Sequence, residues 1–290
     1  MKNIELNDLQ DLEKLLFENL KNKTREYQRA FHGRGGVYKG FEFLTIDFID
    51  KLLFVTFFNQ VEKELEESIL NIIKELYLTN KFTCVVLQRR YINKAPSELL
   101  YGDYIENLVA YENDLKFSLN ILSTQNIGLF PDMKIGREFV KENAKNKKVL
   151  NLFSYTCAFS VYAMSGGAQE VVNVDMSKPS LTLGRCNHRI NNLDTKKVTF
   201  MPHNILKSWN KIKKAGPYDL IIIDPPSFQK GSFAVTKDYE KIIKRLNEFA
   251  NDDCTVLACL NDPQLDSDFI KDIFTAVAPK FKFEKRLKNL

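Results

Sequence analysis

Three side chains that are able to do chemistry directly follow apolar runs in the second half of the chain. Asp175 follows VVNV, Asp224 follows LIII and Cys259 follows TVLA. If these runs are parallel strands, their carboxyl ends meet at the rim where open α/β sheets bind ligands. A carboxylate suits the two hydroxyls of a ribose, and a second one can position a base or move a proton. The spacing therefore predicts a nucleoside-binding rim that contains Asp175 and Asp224, with helix N-capping as the alternative role of Asp175.

The turn at this rim lies in the stretch VLNLFSYTCAFS (149–160), which predicts a strand, a tight turn and a helix. The stretch has no glycine, so the glycine-rich loop that lets a backbone approach a pyrophosphate is absent. NAD is therefore disfavoured. The hydroxyls of Ser154, Tyr155 and Thr156 suit instead the methionine carboxylate or amine of an adenosine cofactor without phosphates.

Alternating strands and helices must position these residues. Apolar runs predict six strands, at 149–150, 171–174, 198–200, 219–223, 254–260 and 281–285. One of the intervening helices begins with the hydroxyl cap Ser177 and a first-turn proline, Pro179, and another is predicted over 238–250. Such alternation predicts an α/β fold with a Rossmann-like, doubly wound, mostly parallel sheet.

Four motifs occur together in this half of the chain. They are NLFSYT at 151–156, GGA at 166–168, VD at 174–175 and DPPSF at 224–228. As a set they resemble the class I S-adenosylmethionine-dependent methyltransferases, and among these the bacterial 23S ribosomal RNA methyltransferases of the RlmI/RlmK type. The resemblance is close over 115–260 and looser before it. It implies S-adenosyl-L-methionine as the cofactor, methyl transfer as the activity and RNA, in particular ribosomal RNA, as the partner.

The resemblance also implies which residues bind the cofactor and the substrate. Cofactor-binding positions would be Asn151, Phe153, Ser154, Tyr155, Thr156, Asp175, Met176, Asn204, Asp224, Pro225, Asp132 and Arg137. Substrate-binding positions would be Pro226, Phe228 and Lys230. Asn204 stands where the family has an aspartate for the adenine amino group, and its amide oxygen can accept the same bond. For Asp132 and Arg137 the alternative is a pair at the start of the following helix.

Cys259 and Asp224 are the implied catalytic residues. In the members that make 5-methylcytosine, a strand-end cysteine adds to carbon 6 of the pyrimidine, which makes carbon 5 nucleophilic enough to take the methyl group. Leu260 follows here where those members have serine, and a cysteine that only fills space is the alternative. A serine separates the two prolines from Phe228, which disfavours methylation of an amino group. Methylation of guanine, which needs no cysteine, and a non-catalytic RNA-binding assembly factor that keeps the cofactor pocket are further interpretations.

The chain divides into three predicted parts. Residues 1–40 predict an N-terminal helix and a glycine-rich connector, and 41–122 predict a small α+β domain in the order strand-strand-helix-strand-strand. Residues 123–290 would form the S-adenosylmethionine-binding domain. The connector carries glycines at positions 33, 35 and 36, which predict irregular structure. It is either a linker turn or an RNA-phosphate loop with the basic residues Arg25, Arg29, Arg34 and Lys39. Past the third predicted strand, further candidates for contact with RNA are Arg89, Arg90 and Lys94, although such residues are more often simply solvated.

The composition sets wider limits. The chain of 290 residues is 44% hydrophobic, and its 42 basic and 37 acidic residues give a net charge of +5, which permits RNA binding without establishing it. The five cysteines lack metal-ligand spacing, so neither a metal site nor disulfides are expected. No apolar run approaches the ~20 residues that span a bilayer, which predicts a soluble cytoplasmic protein without a membrane partner. Composition does not indicate the oligomeric state.

The chain stops at Leu290 where the family continues into a further strand, so that edge of the sheet is expected to be missing or the polypeptide truncated.

Overall fold

The protein consists of two units with separate cores. The computed structural model describes residues 8–35, 38–122, 125–229, 232–262 and 265–287. The units are Met1–Pro131 and Asp132–Leu290. The limits of the three parts inferred from sequence stay a prediction.

The first unit is built on a five-stranded sheet. Its elements are α1 (Leu9–Lys21), β1 (Tyr27–His32), β2 (Leu44–Ile49), β3 (Leu52–Phe57), α2 (Lys63–Thr79), β4 (Cys84–Arg89), β5 (Ser97–Gly102), β6 (Val109–Glu112) and β7 (Leu115–Ser118). The sheet order is β1-β2-β3-β4-β5, with β3 and β4 parallel and all other neighbours antiparallel. β6 and β7 form a separate antiparallel ribbon.

The helices of the first unit pack through residues spaced four apart. Leu12 and Leu16 of α1 and Ile69 and Ile73 of α2 are buried in one cluster with the sheet, as expected for an amphipathic helix. Asp8 caps α1, because its carboxylate accepts two backbone N–H groups of the first turn. The predicted N-terminal helix is therefore confirmed over its described residues.

Two strands of this sheet were not predicted. β1 lies where the sequence suggested only a connector, and a bulge between Arg29 and Phe31 breaks its alternation of buried and exposed side chains. β5 is an edge strand with mostly exposed side chains, so it lacks an apolar signal. The prediction that the glycine-rich stretch is irregular was also wrong in its described part, because Gly33–Gly35 forms a short 3₁₀ helix. Gly36 lies outside the described residues.

The second unit is an α/β sandwich. Its elements are α3 (Lys134–Asn143), β8 (Lys148–Leu152), α4 (Ala158–Ser165), β9 (Glu170–Asp175), α5 (Lys178–Ile190), β10 (Val198–Pro202), α6 (Trp209–Ala215), β11 (Tyr218–Ile223), β12 (Phe228–Gln229), β13 (Phe233–Ala234), α7 (Val235–Ile243), β14 (Ala250–Ala258) and α8 (Ser267–Val277). The five long strands are parallel in the order β10-β9-β8-β11-β14. β12 and β13 form a short antiparallel ribbon. The predicted doubly wound parallel sheet is confirmed.

The strand order locates a crevice. The chain winds outward from β8 to β9 and β10, and then crosses to β11 and β14 on the other side. Helices that start on opposite faces leave a gap at this reversal, between the carboxyl ends of β8 and β11. The predicted turn follows β8 and Asp224 follows β11, so both lie beside the gap.

The end of the chain differs from the prediction. The predicted sixth strand at 281–285 has no regular structure in the described segment that follows α8. Its alternating basic and aromatic residues look like a strand, but the side chain of Phe283 is 62% exposed and no strand pairs with it there. The helix expected over 238–250 is α7 followed by a 3₁₀ turn, Leu246–Glu248. The fifth strand, β14, is longer than predicted and ends one residue before Cys259.

Candidate active site

The turn after β8 holds three non-glycine residues in the left-handed region. Phe153 has φ 56°, Tyr155 has φ 45° and Cys157 has φ 62°. Each such residue costs on the order of 1 kcal/mol or more and persists only where surrounding contacts hold it. The turn is therefore a strained segment, and such segments cluster at ligand sites.

Backbone hydrogen bonds hold this turn. Ser154 N donates to Val174 O at 3.2 Å, and Cys157 N donates to Ser154 O at 2.7 Å. Tyr155 N donates to Asp175 Oδ2 at 2.8 Å, while the other carboxylate oxygen accepts Ser177 N at 2.7 Å. Burial raises the pKa of Asp175, and these two bonds oppose that shift. Asp175 thus joins the turn to the start of α5.

Asp175 is not the N-cap of α5. The cap is Ser177, whose hydroxyl accepts Ser180 N at 3.2 Å, as predicted for that helix start. Each oxygen of the Asp175 carboxylate accepts one backbone bond and keeps a further lone pair. The geometry therefore leaves this side chain acceptor capacity for a bound hydroxyl.

A buried hydrogen-bond chain lies behind the turn. Asn151 Nδ2 donates to Asn173 Oδ1 at 2.9 Å, and Asn173 Nδ2 donates to Ser160 Oγ at 3.0 Å. Ser160 Oγ and His188 Nε2 lie 2.9 Å apart, and His188 Nδ1 lies 2.7 Å from Gly184 O. Since a carbonyl only accepts, Nδ1 carries the proton and Nε2 accepts from the serine. Burial lowers the pKa of His188, which favours this neutral form and fixes the direction of the whole chain.

Close packing of α5 against the turn depends on one glycine. A Cβ at Gly184 would overlap Sγ of Cys157 and approach the Thr156 backbone. The turn and the helix can therefore lie this close only without a side chain at position 184. Sequence reasoning missed this role, because GRC inside a helical pattern gives no sign of which residue faces it.

Four predicted cofactor residues lie around one small cavity. Phe153, Asp175, Met176 and Asn204 line it together with residues of the β12–β13 ribbon. The Phe153 and Phe233 rings meet edge to face, with their centroids 4.8 Å apart. The structure thus brings together side chains from the ends of β8, β9 and β10, as the predicted rim required.

Asp224 and Cys259 form the second half of the rim. Cys259 N donates to Ile223 O at 2.8 Å, which fixes the cysteine beside the end of β11. The Cys259 thiol and the Asp224 carboxylate lie close enough for each to affect the pKa of the other. Burial raises the pKa of Asp224 to about 6; the nearby charge of Asp132 adds to this, while Asn261 and Arg137 oppose it. Burial, followed by the charge and hydrogen bond of Asp224, holds the pKa of Cys259 well above its ordinary value.

Two residues that sequence reasoning did not assign to the site fix this pair. Asn261 Nδ2 lies 2.8 Å from Asp224 Oδ1 and 2.9 Å from Pro225 O, so one amide holds the turn after β11. Tyr239 donates to Cys259 O at 2.9 Å. Tyr239 lies within the helix predicted over 238–250, and Asn261 stands two residues after the candidate nucleophile. Neither position indicates which group the side chain would bond.

Asp132 and Arg137 lie at the start of the second unit. Arg137 is 2% exposed in α3, with its guanidinium 5.9 Å from the Tyr162 ring. Met133 occupies the N-cap position of this helix without a side-chain capping bond. Both charged residues affect the pKa of Asp224. They therefore belong to the surroundings of the Asp224–Cys259 pair, and Asp132 is not the cap of α3.

Other predicted residues are more scattered. Asn151 and Thr156 are buried beneath the turn, with the Thr156 carbonyl accepting from Asn187 at 3.0 Å. Phe228 is 70% exposed, whereas Pro225 is buried and Pro226 half-buried. Lys230 lies outside the described residues. The described segment after it is in part regular structure, because α7 begins at Val235.

A groove of about 590 Å³ reaches the second half of the rim. Asp132, Cys259 and Asn261 line one part of it, and residues of β14, α8 and the segment after α8 line the rest. Within the described ranges, no group of three or more His, Cys, Asp or Glu side chains is placed to hold a metal ion. None of the described helices is both long and apolar enough to cross a membrane.

The side chains at the turn fit S-adenosylmethionine. Ser154 Oγ is buried and lacks a hydrogen-bond partner in the described part of the chain, which is costly unless a bound group supplies one. Asp175 offers acceptors for a ribose, and Asn204 lies beside it with an amide that can meet an adenine edge. Since no glycine-rich loop is present, the turn suits a nucleoside better than a dinucleotide.

Curated proteins similar to this chain are ribosomal RNA methyltransferases by name. Ribosomal RNA large subunit methyltransferase I of Aeromonas salmonicida is 34% identical over 146 residues, covering 50% of this chain and 37% of that protein. Ribosomal RNA large subunit methyltransferase K/L of Pseudoalteromonas translucida is 38% identical over 141 residues, covering 47% of this chain and 20% of that protein. The chain thus spans well under half the length of the curated relatives it matches.

Solved structures match over more of the chain. A protein from Streptococcus mutans, assigned as an S-adenosylmethionine-dependent methyltransferase, superposes with a TM-score of 0.80 at 27% identity, covering 92% of this chain and 70% of that one. Another structure, assigned as a methyltransferase and solved in complex with SAH, gives a TM-score of 0.79 at 27% identity, covering 94% and 71%.

A family model extends the match to most of the chain. The model described as S-adenosylmethionine-dependent methyltransferase matches residues 28–290, which include both halves of the rim. The predicted cofactor, S-adenosyl-L-methionine, is the one that defines this family. The chain therefore belongs to the S-adenosylmethionine-dependent methyltransferases.

Proposed function

We propose that this protein methylates RNA, with large-subunit ribosomal RNA as the substrate and carbon 5 of cytosine as the leading target. The observation that carries the proposal is the position of Cys259 beside Asp224: they follow the neighbouring parallel strands β14 and β11, and Cys259 N donates to Ile223 O at 2.8 Å. The curated relatives named for large-subunit ribosomal RNA support the substrate. The enzyme would act in the cytoplasm, where its substrate is made.

The first half of the rim is the proposed cofactor site. Asp175 would accept the ribose hydroxyls, Asn204 would accept from the adenine amino group, and Ser154 would hold the amino acid end. Phe153 would offer its ring to the positive sulfonium. S-adenosylmethionine, when bound, supplies an electrophilic methyl group.

The second half of the rim is the proposed catalytic pair. The Cys259 thiol is protonated at neutral pH because its pKa is raised, so it needs a base. The neighbouring carboxylate, Asp224, has a pKa of about 6 and is therefore largely ionised at pH 7. Asp224 takes the proton as the thiolate adds to carbon 6 of cytosine. Carbon 5 then takes the methyl group, and the bond between that methyl group and the donor sulfur breaks. The carbon 5 proton leaves to water, which expels the thiolate and restores the ring, and the thiolate takes its proton back from Asp224.

The exposed side of DPPSF would meet the target nucleotide. Phe228 exposes 70% of its surface and is free to stack on an extruded base. Pro225 and Pro226 fix the backbone between Asp224 and that ring, and Asn261 holds the Pro225 carbonyl. Lys230 would contact phosphate. The chain thus offers a stacking surface a few residues from the proposed base.

Methylation of guanine is the second candidate, and the burial of Cys259 favours it. The cysteine is 7% exposed and packs in an apolar cluster, which is the environment of a cysteine that only fills space. A guanine nitrogen is nucleophilic without covalent activation. This reaction would use the same cofactor site and leave Cys259 unreacted.

A covalent trap separates the two candidates. In RNA that contains 5-fluorocytidine, fluorine replaces the proton that must leave carbon 5, so an enzyme–RNA adduct persists after methyl transfer. We expect a denaturation-resistant complex with the wild-type protein and with Cys254→Ala, a matched change elsewhere on β14. Cys259→Ala should give none. Methyl transfer to guanine by Cys259→Ala at the wild-type rate would reject the cysteine mechanism. Binding of the methyl donor, S-adenosylmethionine, without any transfer to RNA would favour the assembly-factor interpretation.

A further inference from the structure

One cluster of the first unit combines two arginines with a single aromatic ring. The guanidinium carbon of Arg34 lies 4.2 Å from the centroid of the Phe58 ring, and that of Arg90 lies 5.3 Å from the same centroid. Both distances are within cation–π range. The arginines are 56 positions apart in sequence, so only the fold brings them to one ring.

The sheet explains why the three residues meet. β1 is antiparallel to β2 and β2 is antiparallel to β3, so β1 and β3 run in the same direction; β4 is parallel to β3. The carboxyl ends of these three strands therefore lie at the same end of the sheet. Phe58 and Arg90 directly follow β3 and β4, and Arg34 follows β1 by two residues.

Hydrogen bonds hold the backbone at this end of the sheet. Phe58 N donates to Phe43 O at 2.7 Å, and Arg90 N donates to Phe57 O at 2.8 Å. Arg34 lies on the 3₁₀ helix Gly33–Gly35, where a Cβ at Gly33 would overlap the carbonyl oxygen of Phe41. This close approach holds Arg34 on a packed turn rather than on a flexible linker.

Carboxylates neutralise the neighbouring arginines but not Arg34. Arg29 pairs with Asp47 at 2.7 Å, and Arg89 pairs with Glu66 at 2.6 Å. Among the residues that the structure describes, Arg34 has no ion pair, and its side chain is exposed. Arg90 donates to the neutral amide oxygen of Asn126 at 3.1 Å. Arg34 therefore presents an exposed guanidinium charge that no carboxylate of the described residues neutralises.

We propose that the Arg34–Phe58–Arg90 cluster is a binding site for the phosphodiester backbone of RNA, an inference that rests on the proposed function and adds a second contact surface to it. A guanidinium matches two phosphate oxygens at once, and stacking on a ring orients it before the ligand arrives. Backbone contacts of this kind position a nucleic acid without reading its sequence.

The test compares RNA binding by full-length variants. Arg34→Gln, Arg90→Gln and the double variant remove charge, and Phe58→Leu removes the ring. Lys51→Gln is the matched control. It removes one exposed positive charge in the turn before β3, at the opposite end of the same sheet. Binding to a mixed-sequence single-stranded RNA and to unmodified large-subunit ribosomal RNA is measured between about 50 and 200 mM salt. Circular dichroism and thermal unfolding of each variant show whether the first unit is folded, and binding of S-adenosylmethionine shows whether the second unit is.

The double variant should bind both RNAs at least about tenfold more weakly at low salt. Its log-log salt dependence should flatten by about 0.7 per lost phosphate contact. Phe58→Leu should weaken binding less than the double variant, and Lys51→Gln should bind like the wild type. All variants should bind the donor normally.

Three results would overturn the inference. If the wild type methylates ribosomal RNA and the double variant binds it unchanged, the cluster is not an RNA site and the proposed function stands. If the wild type neither binds nor methylates RNA, both proposals fail. If the double variant keeps RNA binding but loses binding of polyglutamate, the cluster serves an acidic protein partner instead.

Discussion

At the scale of single residues, the protein places a carboxyl and a thiol at the ends of neighbouring strands and shifts the pKa values of both upward. A carboxyl with a pKa of about 6 is a better base at neutral pH than an ordinary aspartate, because Brønsted behaviour favours a pKa near the working pH. Asn261 counteracts this shift through its bond to Asp224. A residue that does not itself react therefore lowers the pKa of the proposed base, against the larger effect of burial.

This arrangement predicts how activity depends on pH. Asp224 must be ionised to accept the thiol proton, so kcat/KM should fall as pH drops through about 6. Asn261→Ala removes an interaction that lowers the pKa of Asp224, so its acidic limb should move to higher pH. Asp224→Asn should reduce kcat at least about 100-fold.

The pH profiles of methyl transfer by the wild type and both variants check this prediction. Donor affinity, measured over the same pH range, is the control that separates catalysis from binding. An acidic limb that stays in place in Asn261→Ala would show that Asp224 is not the titrating base.

Local sequence patterns indicate the candidate site residues more clearly than the residues that hold them in place. Asp175, Asp224 and Cys259 each end an apolar run, and that signal is local. Asn261, Tyr239 and Gly184 act on partners far away in sequence. Their roles follow from tertiary contacts that no local pattern encodes.

At the scale of elements, the turn after β8 and helix α5 form one tightly fitted pair. The turn holds Cys157 at positive φ, and Gly184 leaves room for its sulfur. We expect Gly184→Ala to push the turn away from α5, weakening donor binding and costing about 1–3 kcal/mol of unfolding free energy. Cys157→Gly in the same chain removes the clashing sulfur and should restore part of both losses.

Thermal unfolding and donor calorimetry of the two single variants and the double variant measure this coupling. The matched control is Thr182→Ala on the same helix. The Thr182 hydroxyl donates to Lys178 O within α5, so its loss does not affect the turn. Strictly additive effects of the two changes would mean that Cys157 and Gly184 do not constrain each other.

Asp175 connects two further elements, the turn and the start of α5, through one acceptor oxygen to each. Asp175→Asn replaces one of these acceptors by an amide donor that faces a backbone N–H. We expect binding of S-adenosylmethionine to weaken at least about tenfold. A hydrogen bond to the backbone is lost, together with an acceptor for the ribose. The matched variant Asp194→Asn changes a carboxylate that caps only a 3₁₀ turn, and it should bind the donor normally.

Equilibrium dialysis or calorimetry with S-adenosylmethionine measures both aspartate variants. Equal affinities for the donor would remove Asp175 from the proposed cofactor site. A loss in Asp175→Asn that parallels a fall in melting temperature would assign the side chain to holding the turn rather than to binding ribose.

The elements that were missed share a cause. β1 is interrupted by a bulge and β5 is an exposed edge strand, so neither shows the period of two that identifies a half-buried strand. The segment after α8 has that period, yet no strand pairs with it in the described residues. Periodicity reports which side chains can be buried, but a strand also needs a partner.

At the scale of the whole molecule, fold class and family were predictable because they depend on many consistent signals. Apolar runs alternate with amphipathic helices, and four motifs fall at the carboxyl ends of strands or in the turns between elements. The net charge of +5 is too small to identify an RNA-binding protein. The proposed RNA site depends on where individual arginines lie in the fold, which the net charge does not report.

The most direct test of the proposed function is methyl transfer from isotope-labelled S-adenosylmethionine into unmodified large-subunit ribosomal RNA, followed by mass spectrometry of the nucleosides. The result expected is label in 5-methylcytidine with the wild-type protein and none with Cys259→Ala, although both bind the donor. Label in a methylated guanosine, independent of Cys259, would contradict the cysteine mechanism. Absence of label from RNA despite normal donor binding would contradict the proposed function itself.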